Sequence, residues 1–152
     1  MVHIEKRITI NRPVEDVFGY MSNAENDARW RTNVKYIEHK PGTGPGVGSE
    51  YSQKVKGPFG GLQADLRYTE YEPNRRVAFE TTTGSVRPLG QIDFSAPSEA
   101  TTDVHFQLDW EPTGAWKLFA PVMKKILEKN AYASYDNLKR KLEAHEEETA
   151  PG

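Results

Sequence analysis

The chain reads as an α+β protein: a curved antiparallel sheet of seven strands around one long C-terminal helix, with two short helices between the first and second strands. Three observations predict this. In the stretch 115–146, Phe119, Met123, Leu127, Asn130, Ser134, Leu138 and Leu142 recur every three or four residues, which places them on one helical face. From Asn33 to Trp110 the chain instead alternates apolar and polar residues, with turn signals about every ten residues. The apolar side of such a sheet must be covered, and the terminal helix is the only segment long enough to cover it.

The first strand is carried by Val2, Ile4, Ile8 and Ile10 on one side and His3, Glu5, Arg7 and Thr9 on the other. Asn11, Arg12 and Pro13 then change the period. Asn11 is the expected cap, Pro13 falls in the first turn, and Glu15 and Asp16 sit where the helix dipole favours acids. Val14, Val17, Phe18 and Met21 form the apolar face of this short helix, and Ser22 with Glu25 matches a capping box for a second one ending near Arg29.

Strand two is expected over 34–40, followed by a Gly-rich link over 41–48. Strand three opens at Gly46, Val47 and Gly48 and turns Tyr51, Gln53 and Val55 to one face. The hairpin 57–61, with Phe59 exposed at its tip, leads to strand four over 62–71, with Leu66 and Tyr68 inward and Asp65 and Arg67 outward as an exposed ion pair. Strand five, 76–83, presents Val77, Phe79 and Thr81; strand six, 86–96, presents Ile92, Phe94 and Ala96. Strand seven alternates Val104, Phe106, Leu108 and Trp110 with Asp103, His105, Gln107 and Asp109. Pro121 is comfortable only near a helix start, so the main helix is expected from about there, roughly 25 residues and about 37 Å long. One domain is expected over 1–146, with a flexible tail over 147–152.

Composition narrows the function. With 152 residues and no cysteine, the chain is long enough to bury about 68–70% of its unfolded surface without disulfides, and thiol nucleophiles and Cys-ligated zinc are excluded. Lys+Arg 20 against Asp+Glu 22 leaves a net charge of −2, which offers no bulk attraction to nucleic acid or to an anionic membrane. Neither a signal peptide nor an 18-residue apolar run is present, so a cytoplasmic location and no stable membrane insertion are expected. The apolar fraction of 36% is lean for a packed globule and suits a partly hollow interior.

The ordered set of residues at the joints of this pattern resembles a known superfamily. Ile8, Ile10, Arg12, Pro13, Val17 and Phe18 stand at the first strand–helix junction, Asn26 and Trp30 after the second helix, and Gly46 and Gly48 before strand three. Tyr71, Glu72 and Pro73 follow strand four, and the run 138–143 (LKRKLE) lies near the end. Together they resemble the START-like or Bet v 1-like (SRPBCC) superfamily, and within it the bacterial polyketide cyclase/dehydrase-like proteins. The resemblance spans about residues 2–145 and implies a helix-grip fold with a ligand cavity between sheet and helix. Because that superfamily holds carriers, binders, cyclases and co-chaperones alike, it implies fold more sharply than function.

Alternation then names the side chains that face the cavity: Tyr51, Gln53, Val55, Leu66, Tyr68, Phe79, Phe94 and Phe106 from the sheet, with Met123, Leu127, Asn130 and Ser134 from the helix. Trp30 is placed at one end. An apolar wall with a few converging polar groups suits a small hydrophobic or amphipathic ligand. Plain core packing would give the same aromatic pattern. The catalytic signal is poor. His3, His39, His105 and His145 are scattered and face outward, no metal-binding spacing occurs, and no cofactor is implied. Gly42, Gly44, Gly46 and Gly48 precede a strand and lack the Gly-Lys-Ser/Thr ending of a P-loop, so they form a turn. Binding or transport of a small apolar molecule is the expected function. A polyketide cyclase/aromatase or dehydratase, with Tyr68, Gln53 and Asn130 steering protons, is the first alternative. A co-chaperone-like module using Phe59, Trp116 and Tyr132 is the second.

Overall fold

A computed structural model describes residues 1–56 and 61–144 with their side chains and 145–149 as helical backbone. The expected loop tip at Phe59, the side chain of His145 and residues 150–152 of the expected tail lie outside these described residues. The elements follow as β1 (Val2–Ile10), α1 (Val14–Met21), a 3₁₀ turn (Ala24–Asn26), α2 (Asp27–Trp30), β2 (Val34–His39), β3 (Glu50–Val55), β4 (Leu62–Glu72), β5 (Arg76–Thr81), β6 (Leu89–Ser98), β7 (Thr101–Trp110) and α3 (Trp116–Thr149). All seven strands form one antiparallel sheet in the order β1-β7-β6-β5-β4-β3-β2. The first two strands of the chain, β1 and β2, are its edges. The sheet curls around α3 in a helix grip.

Period-2 patterning sets the register. In β7 the buried Val104, Phe106 and Trp110 lie on the concave face while His105 is turned outward, opposite Arg7 of β1. A register shift between Tyr68 and Glu70 bends β4, after which Tyr71 joins Tyr68 on the inner side; the alternation alone does not reveal this. Ala96, expected inward, is exposed, because the β6–β7 register shifts between Ser95 and Ser98.

Several helix ends differ from expectation. Pro13, not Asn11, occupies the cap position of α1, and no side chain caps it. Asn23 caps the 3₁₀ turn by accepting from Glu25 N at 3.1 Å, so the Ser22–Glu25 capping box does not form. α3 begins at Trp116, five residues before Pro121, because tight turns from Thr113, Gly114 and Ala115 wind its start. Phe119, expected inward, is exposed.

Two regions of core result. The larger is built around Ile10, Val17, Phe18, Met21, Val104, Tyr135, Leu138 and Leu142, where α1 and the second half of α3 meet the sheet. The smaller joins Val2, Ile4, Val86 and Trp110 to Met123 near the start of α3. The Gly-rich link stays a turn: Gly42, Gly44, Gly46 and Gly48 all have positive φ, and Gly48 N donates to Tyr68 O at 2.9 Å, tying the link to β4. Gly84, at φ +93, closes the β5–β6 connection so tightly that an added Cβ would stand 2.5 Å from the Gln63 carbonyl oxygen.

Two stability predictions follow from this packing. Leu138 is fully buried, so Leu138→Ala should lower the unfolding free energy by about 2–5 kcal/mol in a denaturant titration. Gly84→Ala should destabilise by more than about 1 kcal/mol, since both its backbone angle and the Gln63 carbonyl oppose a side chain. A neutral Gly84→Ala would show that the connection moves aside freely.

Candidate functional site

Between the concave face and the first half of α3 lies a cavity of about 140 Å³. Val55, Ala64, Phe79, Ile92 and Phe106 supply its sheet wall, and Met123, Leu127 and Ala131 its helical wall. Each is at an inward position of its element.

One end of the cavity is polar. The single turn of α2 delivers Asp27 and Trp30 to it, and Arg31 follows directly. Arg31 Nη1 donates to Asp27 Oδ2 at 3.2 Å and to Gln53 Oε1 at 3.1 Å. The Asp27 side chain is only 14% exposed. Burial pushes its carboxyl up to about 6, while the neighbouring Arg31 guanidinium and the Trp30 indole pull it back. Trp30 Nε1 is near enough to Asp27 to exert that pull, yet it is buried without a hydrogen bond of normal geometry. Tyr135 completes this end. Its ring stacks on Phe106 with centroids 5.0 Å apart and meets Trp30 edge-on at 5.0 Å. Burial holds its hydroxyl well above the usual tyrosine range, so it stays protonated.

Of the thirteen side chains expected to face the cavity, nine line it: Trp30, Gln53, Val55, Phe79, Phe106, Met123, Leu127, Asn130 and Ser134. Tyr51, Leu66, Tyr68 and Phe94 do not. They belong to the solid core beneath α1, where Phe94 meets Phe18 at 5.2 Å and Tyr51 meets Tyr68 at 5.4 Å. They share the inward face, but Phe18 of α1 packs on Phe94, and the Ser22 carbonyl at the end of α1 takes the Tyr68 hydroxyl. Tyr68, assigned to proton steering in the enzyme alternative, donates to the Ser22 carbonyl at 2.9 Å, and burial raises its hydroxyl well above the usual range. Asn130 and Ser134 also part company. Ser134 Oγ accepts from the backbone N–H of Thr32 at 3.0 Å, so it anchors the segment after α2.

Sequence reading missed Asp27, Arg31 and Tyr135. An acid–base pair at i, i+4 around a tryptophan was the available signal for the first two, but a helix of four residues has no periodicity to show which way it faces. Tyr135 lies three before Leu138 and four after Ala131, a second apolar row beside the one through Leu127, Ser134 and Leu138.

Elsewhere the expected surface chemistry is rearranged. Asp65 pairs with Lys40 at 3.0 Å and Arg67 with Glu80, so the two do not pair with each other. His3 lies between Glu5 at 2.9 Å and Asp109 at 2.6 Å on the outer face. Among the described residues no cluster of three or more His, Asp or Glu is placed to hold a metal ion. Trp116 is half-buried against Trp110, and Tyr132 lies under the Lys6 ammonium 5.0 Å from its ring centre, which leaves Tyr132 as the exposed one of the pair.

The Asp27 geometry predicts a pH effect. Well below its ordinary value of 3.8 the carboxyl is protonated in both folded and unfolded chains and costs nothing. As pH rises towards 6 the unfolded chain ionises first, and above 6 the fold must hold a buried carboxylate, a loss of about 3 kcal/mol. Chemical denaturation from about pH 3 to about pH 7 should therefore show the stability of Asp27→Asn rising relative to wild type by about that amount. Parallel profiles would mean that Asp27 titrates normally.

Comparison with known proteins agrees with this architecture. The structure superposes on the Zhui aromatase/cyclase from Streptomyces sp. R1128 with a TM-score of 0.83 at 16% identity, covering 99% of this chain and 97% of that one. It superposes on a protein of Thermus thermophilus with a TM-score of 0.79 at 18% identity (94% and 98% covered) and on a START superfamily protein from Mycobacterium smegmatis with 0.68 at 13% (97% and 99% covered). At these identities the likeness is one of fold. No functionally curated protein matches the sequence. Residues 1–143 match the family described as polyketide cyclase / dehydrase and lipid transport, and the chain therefore belongs to that SRPBCC family.

Proposed function

We propose that this protein binds a small amphipathic molecule, with its apolar body between β3–β7 and α3 and its polar end at Asp27, Arg31 and Gln53. The observation that carries this reading is the cavity itself, apolar along its walls and polar at one end. Its volume of about 140 Å³ is close to that of an engineered cavity of about 150 Å³ that takes benzene. It is below the roughly 300 Å³ of pockets for drug-sized ligands. A single ring or a short acyl segment fills it, and anything longer extends through the mouth. Among the described residues Arg31 uses only Nη1 for its hydrogen bonds, so its other N–H groups, with Trp30 Nε1, supply donors for a carbonyl or hydroxyl oxygen.

A second reading, a cyclase/aromatase or dehydratase, gains from one observation. Such an enzyme needs a buried titratable group, and Asp27, near 6 beside Arg31, is one that can both hold and release a proton close to neutral pH. The aromatase/cyclases of similar fold favour the same reading. Asp27→Asn distinguishes the two: loss of turnover of a β-hydroxy or poly-β-keto thioester with binding retained supports the enzyme, and unchanged binding without turnover in either protein supports the carrier.

Calorimetric titration with p-cresol and toluene tests the cavity. Both probes should bind, p-cresol the more tightly, and Ala131→Leu should abolish binding of both by filling the space. Absence of binding by wild type, or equal binding by Ala131→Leu, would sink the proposal.

The two polar residues of α3 should behave oppositely. Ser134→Ala strands the Thr32 N–H and should cost about 1–3 kcal/mol of stability. Asn130→Leu should leave the melting temperature unchanged or higher while weakening p-cresol relative to toluene. A marked loss of stability in Asn130→Leu would place that residue in the structural framework.

A further inference from the structure

The opening turns of α3 are apolar on both sides. Trp116, Ala120, Met123 and Leu127 pack towards the sheet. Leu118, Phe119, Val122 and Ile126 point away from it and are 82%, 56%, 59% and 37% exposed. With 3.6 residues per turn, Leu118, Val122 and Ile126 at i, i+4 and i+8 form one ridge, and Phe119 stands beside it. A helix lying on a domain normally turns polar side chains to water, and a contiguous exposed apolar patch marks an interaction site.

The charges around the ridge say what it meets. Lys125 and Lys129 stand along its outer edge, both exposed, and among the described residues neither has a carboxylate partner. Glu128, three residues after Lys125, is held instead by Lys124 at 3.8 Å. Four apolar residues fall far short of the roughly 20–30 per side of a standard interface with a second copy of the chain. A convex apolar ridge edged by lysines is instead the pattern of a helix that lies in the surface of an anionic bilayer. The overall charge of −2 does not oppose this, since attraction at such a surface is local. Ile126 belongs both to the ridge and to the cavity wall, and Lys56 lines the same cavity from the sheet side.

We propose that this ridge docks the protein on an anionic lipid surface, with Leu118, Phe119 and Val122 entering the interface and Lys125 and Lys129 meeting phosphate headgroups. Docked in this way, the side of the cavity formed by Ile126 lies at the bilayer, and an apolar ligand passes between membrane and cavity with little exposure to water.

Flotation with large unilamellar vesicles tests this with the full chain. Binding to vesicles of phosphatidylcholine and phosphatidylglycerol, about 3:1, is expected, weakening with salt and about tenfold poorer on phosphatidylcholine alone. Leu118→Ser with Val122→Ser should lower vesicle binding about tenfold, and Lys125→Glu with Lys129→Glu should remove the preference for the anionic lipid. Because these side chains are exposed, both variants should keep the wild-type melting temperature and wild-type p-cresol binding. A failure to dock is thereby distinguished from a failure of the cavity reading. The proposal is overturned if wild type does not bind the anionic vesicles or if the serine variant binds them equally. It is also overturned if sedimentation velocity shows a dimer that the serine variant loses.

Discussion

A sheet of seven strands curls through more surface than one helix about 10 Å across can fill, and the rest of the structure answers that mismatch. At the C-terminal half of α3 the space is closed. Leu138 and Leu142 are buried there, α1 adds Val17 and Phe18, and the aromatic rings of β3, β4 and β6 complete the packing. That half of the helix is also tied by polar bonds to the turn after β1. Arg12 Nη1 donates to the Leu142 carbonyl at 2.8 Å, and Glu143 accepts from Asn11 N at 2.9 Å. Among the described residues nothing equivalent to α1 covers the other half, and the cavity lies there.

The polar end of the cavity is costly to maintain. A buried carboxylate destabilises the fold at neutral pH even with a guanidinium and an indole N–H beside it. The surrounding framework holds these groups in place. Ser134 accepts from Thr32 N, and Asn137 Nδ2 donates to the Trp30 carbonyl at 2.9 Å, so α3 grips both sides of Arg31. Local departures of this kind from a well-satisfied core are expected where a protein uses its interior for binding or chemistry. The outer face of the sheet differs: the His3, Glu5 and Asp109 cluster is half exposed and contributes little to stability in salt.

α3 therefore has three roles along its length. Its last turns lock the sheet, its middle supplies the cavity wall, and its first turns present an apolar ridge to the outside. The proximity of ridge and cavity at Ile126 links the two proposals in space while leaving each open to its own test.

The amino-acid sequence by itself determined the elements and their faces. The 2.0 and 3.6 periods follow from backbone geometry within each segment, so Phe106 inside and His105 outside, or Leu138 under the sheet, could be read without tertiary information. The tertiary structure decided which inward residues meet one another and which face empty space. Tyr51, Leu66, Tyr68 and Phe94 carry the same pattern as Phe79 and Phe106, yet the first group is packed into the larger core while the second lines the cavity. It also decided that Asp27 and Arg31, on a helix too short to have a readable face, come to lie beside Gln53 of β3, 22 residues beyond Arg31. Sequence periodicity reports direction relative to a local axis. Cavities and buried charges depend on how separate axes cross, and that is set by the curvature of the whole sheet.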